Sequence, residues 1–276
     1  MIATISEMLS YPFFVRALVV GCAVALCASL LGVSLVLKQY SMIGDGLSHV
    51  GFGALSLAIP LNIAPLKISL PIVTVAAFLL LRLKEESRVK ADAAMALLST
   101  GALAFGVLTL SMTTGMNTDV CNYLFGSILS MNKTDVKLSL ILSATVITVF
   151  IVFYNRLFAI TFDEKFAAAS GVNVKFYNTV ISVLTAMVIV LGMRMMGALL
   201  MSGLIVIPAI TSMALFKKYR SVIIGSAIIS VICFLLGMYL SYVYSTPTGA
   251  GIVACNFFFL AVAKLLEKIK GGKKHV

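Results

Sequence analysis

Long apolar stretches separated by short polar joints run through the whole chain. A helix needs about 20 apolar residues to cross the hydrocarbon core of a bilayer, and nine stretches approach that length. A tenth stretch, 119–131, is shorter and more polar, and we expect it to be re-entrant or interfacial. The pattern predicts an all-α, polytopic transmembrane bundle with about nine spanning helices. The nine stretches are residues 11–37, 42–59, 66–83, 91–112, 135–155, 172–193, 197–216, 221–243 and 249–267.

The composition agrees with a membrane protein. Of 276 residues, 61% are hydrophobic and only 11% are charged, whereas a soluble domain carries about 25% charged residues. So few charges cannot cover the surface of a soluble protein of this size. This excludes a soluble enzyme, a disordered chain and a secreted disulfide-rich scaffold. No stretch is polar enough for a separate soluble domain, so we expect residues 1–276 to form one transmembrane domain.

The net charge of +11 indicates an orientation. Basic residues near the ends of spanning helices concentrate on the cytoplasmic side. The topology that fits this rule places the N-terminus outside, the C-terminus inside and sixteen of the 21 basic residues inside. Because no basic face with interleaved aromatic residues is evident, we expect contact with lipid and none with nucleic acid. The cytoplasmic basic residues are Lys38 and those within 82–90, 156–175, 217–220 and 264–274, the last of which overlaps the basic tail 268–276.

Asp45 is the only one of the ten acidic residues that falls in the interior of a predicted span, because the other nine lie in loops or at span ends. His49 follows four residues later and is the only histidine at that depth. Residues four apart lie on the same face of a helix. A carboxylate within a membrane is costly, so it marks a functional site by default. An imidazole nitrogen and a carboxylate oxygen suit a divalent cation such as Zn²⁺ or Mn²⁺.

Two other interpretations of Asp45 and His49 remain open. The pair can be a hydrogen-bonded contact that fixes helix packing in a non-transporting scaffold, or a proton relay in a stand-alone ion-coupled carrier. Two ligands are also too few for a tight zinc site, which usually has four. A homodimer with the site on its two-fold axis would supply two aspartates and two histidines. Because one chain supplies only two ligands, we expect a transported cation and no tightly bound cofactor.

The longest cytoplasmic joint, residues 155–175, is amphipathic. Phe158, Phe162 and Phe166 recur every four residues, and Gly171 suits the end of a helix. Such a helix can lie on the bilayer surface or form a docking site for a cytoplasmic partner.

Enzymatic motifs are absent from the sequence. It contains no Gly-x-x-x-x-Gly-Lys-Ser/Thr phosphate loop, so we do not expect ATP to bind in the usual way. No HExxH motif or Ser/His/Asp set indicates an intramembrane hydrolase. We therefore predict that the chain is not an enzyme.

Arg194 lies near the predicted outer interface. Two roles remain open for it: an anchor that snorkels to the interface, or part of an outer gate. The methionines around it, Met193, Met195, Met196 and Met201, favour adaptable packing over a Cu(I) site.

Four segments resemble the membrane permeases of ABC transporters that import zinc, manganese or iron, and the resemblance extends over essentially the whole chain. Members of that family have a Gly-Asp-x-x-Ser-His core, which Gly44, Asp45, Ser48 and His49 match. The segments FAITFDEKFAAASGV and YSTPTGA are most similar to zinc-uptake members from Gram-positive bacteria. The four segments are LVLKQYSMIGDGLSHVGFGALSLA (35–58), FDEKFAAASGV (162–172), GALLMSGLIVIPA (197–209) and STPTGAGIV (245–253).

The resemblance implies a homodimeric permease in the bacterial cytoplasmic membrane that imports a divalent cation, Zn²⁺ before Mn²⁺ or iron. It also implies two partners: a cytoplasmic ATPase subunit, which hydrolyses the ATP, and an extracytoplasmic metal-binding protein. Asp45 and His49 would line the metal path near mid-membrane. A coupling loop at about 156–171 would dock on the ATPase through Phe162, Asp163, Glu164, Ala168 and Gly171.

Overall fold

The computed structural model describes residues 8, 10–61, 63–86, 88–113, 124, 126 and 133–272. Within these residues each of the nine predicted apolar stretches forms a helix, and two short helices follow the fifth. The helices are α1 (Pro12–Leu37), α2 (Ser41–Ala58), α3 (Pro65–Glu86), α4 (Arg88–Thr113), α5 (Lys133–Val152), α6 (Tyr154–Phe162), α7 (Glu164–Ala169), α8 (Val174–Met196), α9 (Ala198–Leu215), α10 (Tyr219–Tyr244) and α11 (Thr248–Gly272).

Six of these helices are long and apolar enough to cross a membrane: α1, α4, α5, α8, α10 and α11. Shorter apolar stretches occur in α3, at Leu66–Leu80, and in α9, at Met201–Leu215. The 18-residue α2 contains Asp45 and His49, which reduce its hydropathy. The described residues therefore establish an all-helical protein with six candidate spans, and the expected number of about nine is not confirmed. The stretch 119–131 lies outside the described residues except for Leu124 and Gly126.

The centre of the bundle is α1. Apart from Arg16, Ser29 and Ser34 its side chains are apolar, and buried residues occur along its whole length, from Phe14 to Leu35. A helix that is apolar on every face is typical of a position inside a larger protein or in a membrane. Four helices, α5, α8, α9 and α10, surround α1.

Contacts between helix termini define two ends of the bundle. At one end, Lys38 after α1 donates a hydrogen bond to Asn178 in the first turns of α8, and Tyr219 at the start of α10 is in ring contact with α6. At the other end, Arg194 near the end of α8 pairs with Asp135 at the start of α5. We call these the Lys38 end and the Arg194 end. Three joints whose basic residues predict a shared side, at residues 38, 156–175 and 217–220, meet at the Lys38 end.

Helices α2 and α4 run parallel and pack closely through small residues, as is common between membrane helices. A Cβ atom on Gly53 of α2 would lie 2.7 Å from the carbonyl oxygen of Ala102 on α4. A Cβ on Gly106 of α4 would lie 2.6 Å from the ring of Phe52 on α2. These glycines therefore set the spacing of the two helices.

The amphipathic joint differs from the single helix that its phenylalanine spacing suggests. Asp163 adopts an extended conformation, which separates α6 from α7, and its carboxylate accepts a hydrogen bond from the amide of Phe166. Gly171 ends α7 with a φ of 80°, as predicted, and its amide donates to the carbonyl of Ala168. Leu157 and Ile160 of α6 pack into the bundle, whereas the repeated phenylalanines are exposed. We call residues 154–171 the α6–α7 segment.

Candidate functional site

Asp45 and His49 share one face of α2, as their spacing predicts. The Nε2 atom of His49 lies 3.8 Å from Oδ2 of Asp45, which is longer than a hydrogen bond. At 1.5 Å per residue, the two side chains lie about 6 and 12 Å from the start of α2. They therefore occupy the half of α2 that is nearer the Lys38 end.

The pair borders a cavity of about 500 Å³ between α2 and α4. The Asp45 side chain is 41% exposed and the His49 side chain 13%, so the carboxylate lies in the cavity and the imidazole in its wall. The other lining residues are Met42 and Gly46 from α2 and Met95, Ala96, Ser99, Thr100 and Leu103 from α4.

The imidazole of His49 has unused bonding capacity. Its Nδ1 atom is buried and has no hydrogen-bond partner among the described residues, which costs about 1–3 kcal/mol for a buried polar atom. Its Nε2 atom faces the Asp45 carboxylate across a gap. A zinc–nitrogen and a zinc–oxygen bond together reach at most about 4.0–4.3 Å when collinear, so one cation can contact both Nε2 and Oδ2 across a separation of 3.8 Å. The geometry fits a divalent cation as a transient ligand.

The structure does not bring a complete ligand set together in one chain. No group of three or more His, Cys, Asp or Glu side chains suited to a metal occurs in the part of the chain that the structure describes. Ser48 is buried, and its hydroxyl donates to the carbonyl of Gly44 on the same helix. The α4 wall of the cavity, with Met95, Ser99 and Thr100, is not foreseen in the sequence. These residues are about 50 positions from Asp45 along the chain, and no sequence spacing predicts a contact over such a distance.

The predicted ATPase-coupling residues lie together on the surface of the α6–α7 segment. Phe162, Asp163, Glu164, Ala168 and Gly171 are all exposed. Glu164 also forms an ion pair of 2.7 Å with Lys38. The surface therefore presents an aromatic ring and acidic groups at the Lys38 end, next to the start of α2.

Arg194 is neither a snorkelling anchor nor an isolated charge. Its guanidinium forms an ion pair of 2.8 Å with Asp135, and the two side chains are 10% and 18% exposed. Among the methionines near it, Met193, Met196 and Met201 are buried. Their close contacts with glycines, such as Met193 against Gly51, agree with a packing role.

Comparison with known proteins identifies the family. The model of the ABC 3 transport family matches residues 10–266. The chain belongs to the ABC 3 transport family. Since this match covers nearly the whole chain, the ABC 3 assignment applies to the entire helical bundle. Its members are membrane permeases for metal uptake, and this chain is accordingly a multi-pass permease of the cytoplasmic membrane for metal-ion import.

Curated ABC 3 relatives are named for three different metals. The chain is 28% identical to the high-affinity zinc uptake system membrane protein ZnuB of Haemophilus influenzae, covering 90% of this chain and 95% of ZnuB. It is 26% identical to the manganese transport system membrane protein MntC of Halalkalibacterium halodurans, and the match covers 97% of this chain and 94% of MntC. It is 30% identical to the chelated iron transport system membrane protein YfeD of Yersinia pestis, and the match covers 96% of this chain and 89% of YfeD.

A solved structure supports the same assignment. The chain is similar to PsaBC from Streptococcus pneumoniae in complex with Fab, with a TM-score of 0.87 and 26% identity. The match covers 98% of this chain and all of the PsaBC chain. The ABC 3 fold and a role in metal-ion import are therefore established, and the importer interpretation replaces the stand-alone carrier and the scaffold.

Proposed function

We propose that this permease moves Zn²⁺ inward through a path lined by Asp45 and His49, driven by ATP that a separate ATPase subunit hydrolyses. The observation that supports this most directly is the arrangement of the two side chains. They share one face of α2, border a cavity and are separated by a gap that one cation spans. Conduction through such a site requires binding that is weak enough for the ion to leave.

A second permease copy completes the proposed site. One chain offers one carboxylate and one imidazole, whereas zinc usually takes four ligands. A two-fold axis beside the cavity doubles both groups. Apolar side chains of α4 that are highly exposed, including Leu97, Phe105 and Met112, offer a surface that lipid or the second copy would cover.

The Lys38 end is the proposed cytoplasmic side, because the basic joints at 38, 156–175 and 217–220 meet there. The cytoplasmic ATPase subunit docks on the α6–α7 segment, within the predicted loop 156–171, through Phe162, Asp163, Glu164, Ala168 and Gly171. An extracytoplasmic metal-binding protein delivers the ion at the Arg194 end. Residues 1–276 then act as one permease domain with its basic tail, 268–276, in the cytoplasm.

The proposed number of membrane crossings is nine. Six helices meet the length and hydropathy expected of a span, and the apolar parts of α3 and α9 add two. The ninth crossing is α2, whose polar residues are the ones that transport requires. A path for a cation needs at least one helix that is less hydrophobic than its neighbours.

Zn²⁺ is the proposed substrate, and Mn²⁺ or iron is the alternative within the same family. Zinc favours nitrogen together with oxygen ligands, whereas manganese favours oxygen donors. The relatives named for all three metals show that overall similarity does not separate these substrates.

Transport by the reconstituted complex tests this proposal. The permease is purified with its ATPase subunit and inserted into liposomes that enclose ATP and a metal-sensitive dye, and the binding protein and the metal are added outside. We expect ATP-dependent entry of Zn²⁺, with Mn²⁺ and Fe²⁺ entering more slowly and competing weakly. Entry of Mn²⁺ that Zn²⁺ does not reduce, without entry of Zn²⁺ itself, would assign the permease to manganese.

A further inference from the structure

Lys38 occupies an unusual position for a lysine at the end of an apolar helix. It directly follows α1, where a long side chain can normally extend to water. Its side chain is instead only 4% exposed. A buried ammonium is costly unless it is paired and hydrogen-bonded. The contacts of Lys38 therefore indicate what its burial achieves.

Three elements meet at the Lys38 ammonium. It lies 2.7 Å from Oε1 of Glu164 at the start of α7, and it donates a hydrogen bond to Oδ1 of Asn178 on α8. The amide of Asn178 in turn donates to the same Glu164 oxygen at 3.4 Å. Lys38 therefore ties the α6–α7 segment to α1 and α8.

Glu164 is the exposed member of this cluster. Its side chain is 44% exposed, whereas the Lys38 side chain is 4% exposed and Asn178 is buried. One oxygen of its carboxylate binds Lys38 inside the protein, while the residue itself belongs to the surface where the ATPase is proposed to dock. A displacement of α7 therefore acts directly on the Lys38 ammonium.

A short, hydrogen-bonded turn connects Lys38 to α2, the helix that contains Asp45 and His49. Only residues 38–40 separate α1 from α2. Gln39 adopts a left-handed conformation, with a φ of 60°, and the amide of Tyr40 donates to the carbonyl of Leu35 at 2.7 Å. Asp45 lies about one helical turn after the start of α2 at Ser41. A displacement of Lys38 thus reaches the Asp45 end of α2 with little chain in between.

We infer that Lys38 is a positioning residue that transmits movement of the α6–α7 segment to α2, and so links ATP hydrolysis to the opening of the Asp45–His49 site. This inference rests on the proposed function, because it takes the α6–α7 segment as the ATPase docking surface. Lys38 itself contacts neither the transported ion nor the ATPase.

The Lys38→Met variant tests this role in the reconstituted permease–ATPase complex. The quantity measured is the amount of Zn²⁺ transported per ATP hydrolysed. We expect the ATPase subunit to co-purify and to hydrolyse ATP at a nearly unchanged basal rate, whereas Zn²⁺ per ATP falls about tenfold or more, as for loss of a coupling contact. Lys38→Arg retains a charged donor and should restore at least half of the wild-type ratio.

Lys175→Met is the matched control. Lys175 is an exposed lysine in the first turn of α8 and makes no ion pair with a described residue. The Lys175→Met substitution removes one lysine charge at the same end of the bundle, as Lys38→Met does, and we expect it to leave the ratio of Zn²⁺ to ATP unchanged.

The Lys38→Gln variant covers the case in which Lys38→Met does not fold. Its shorter amide removes the charge that pairs with Glu164 but leaves a polar group at the end of α1 and the docking surface unchanged. Its Zn²⁺ per ATP should also be low. A wild-type ratio in folded Lys38→Met, or in Lys38→Gln, would contradict the inference and leave the proposed function intact. If the wild-type complex transports no Zn²⁺ with ATP, the proposed function itself fails.

Discussion

Two pairs of ionisable residues in this permease differ in almost every physical property. Arg194 and Asp135 belong to different helices, lie 2.8 Å apart and are mostly buried. Asp45 and His49 belong to one helix, lie 3.8 Å apart and border a cavity, where the carboxylate is 41% exposed. The first pair satisfies its own charges and joins α8 to α5. The second pair has space and bonding capacity for a cation between its members.

The difference shows why a charge inside a membrane protein does not by itself identify a transport site. Both pairs would be costly if unpaired in a bilayer. A tight pair between helices uses its electrostatic energy to hold the fold together. A loose pair within one helix contributes little to the fold, so its carboxylate and imidazole remain available to bind a ligand. We draw four predictions from this distinction and from the cavity beside the second pair.

Asp45→Asn and His49→Gln should have the largest effect. Each removes one side of the proposed cation site, so we expect ATP-driven Zn²⁺ uptake in proteoliposomes to fall to the background of empty liposomes. The unfolding temperature should change little, because the pair joins no helices. Ser48→Ala is the control, since Ser48 lies between them on α2 and bonds only to its own helix. Uptake that survives both substitutions in folded protein would exclude the pair from the metal path.

Arg194→Met should mainly destabilise the protein. It removes the Arg194 guanidinium from the mostly buried Asp135 carboxylate, and we expect a loss of about 3–5 kcal/mol in the free energy of unfolding. Thermal unfolding in detergent measures this loss. Arg194→Met/Asp135→Leu should recover most of it, because no unpaired charge remains. An Arg194→Met protein of wild-type stability that no longer transports Zn²⁺ would instead assign the pair to an outer gate.

Gly53→Ala should have an intermediate effect through the wall of the cavity. The added methyl group meets the carbonyl oxygen of Ala102 at 2.7 Å, so α2 and α4 must separate. Such overpacking costs about 1–3 kcal/mol. Gly101→Ala on α4 is the control, because a Cβ atom there meets nothing within 4 Å. Equal unfolding temperatures for the two variants would show that Gly53 does not set the spacing of α2 and α4.

Met42→Leu should have the smallest effect. Met42 lines the cavity, but its side chain is 65% exposed. Leucine retains most of its volume and removes the sulfur, so Zn²⁺ uptake should stay within about twofold of wild type, as for a volume-conserving exchange. A loss as severe as that of Asp45→Asn would show that the thioether is a zinc ligand.

Much of the architecture follows from the sequence because its signals are local. Each apolar stretch became a helix whose ends lie within a few residues of the prediction, as 42–59 and α2 (Ser41–Ala58) illustrate. The pairing of Asp45 with His49 follows from helical periodicity alone. The break at Asp163 was not predicted, because the phenylalanine spacing continues through it and only the extended backbone of Asp163 separates the two helices.

The sequence by itself determined a helical membrane protein, the positions of its main helices and the two side chains on one face of α2. These properties depend on hydropathy and on spacings of a few residues. Only the tertiary structure decided which distant groups meet. It joined Lys38 to Glu164, Arg194 to Asp135, and the α4 wall to Asp45. No spacing in the chain encodes these contacts, because they arise from how the helices pack against one another.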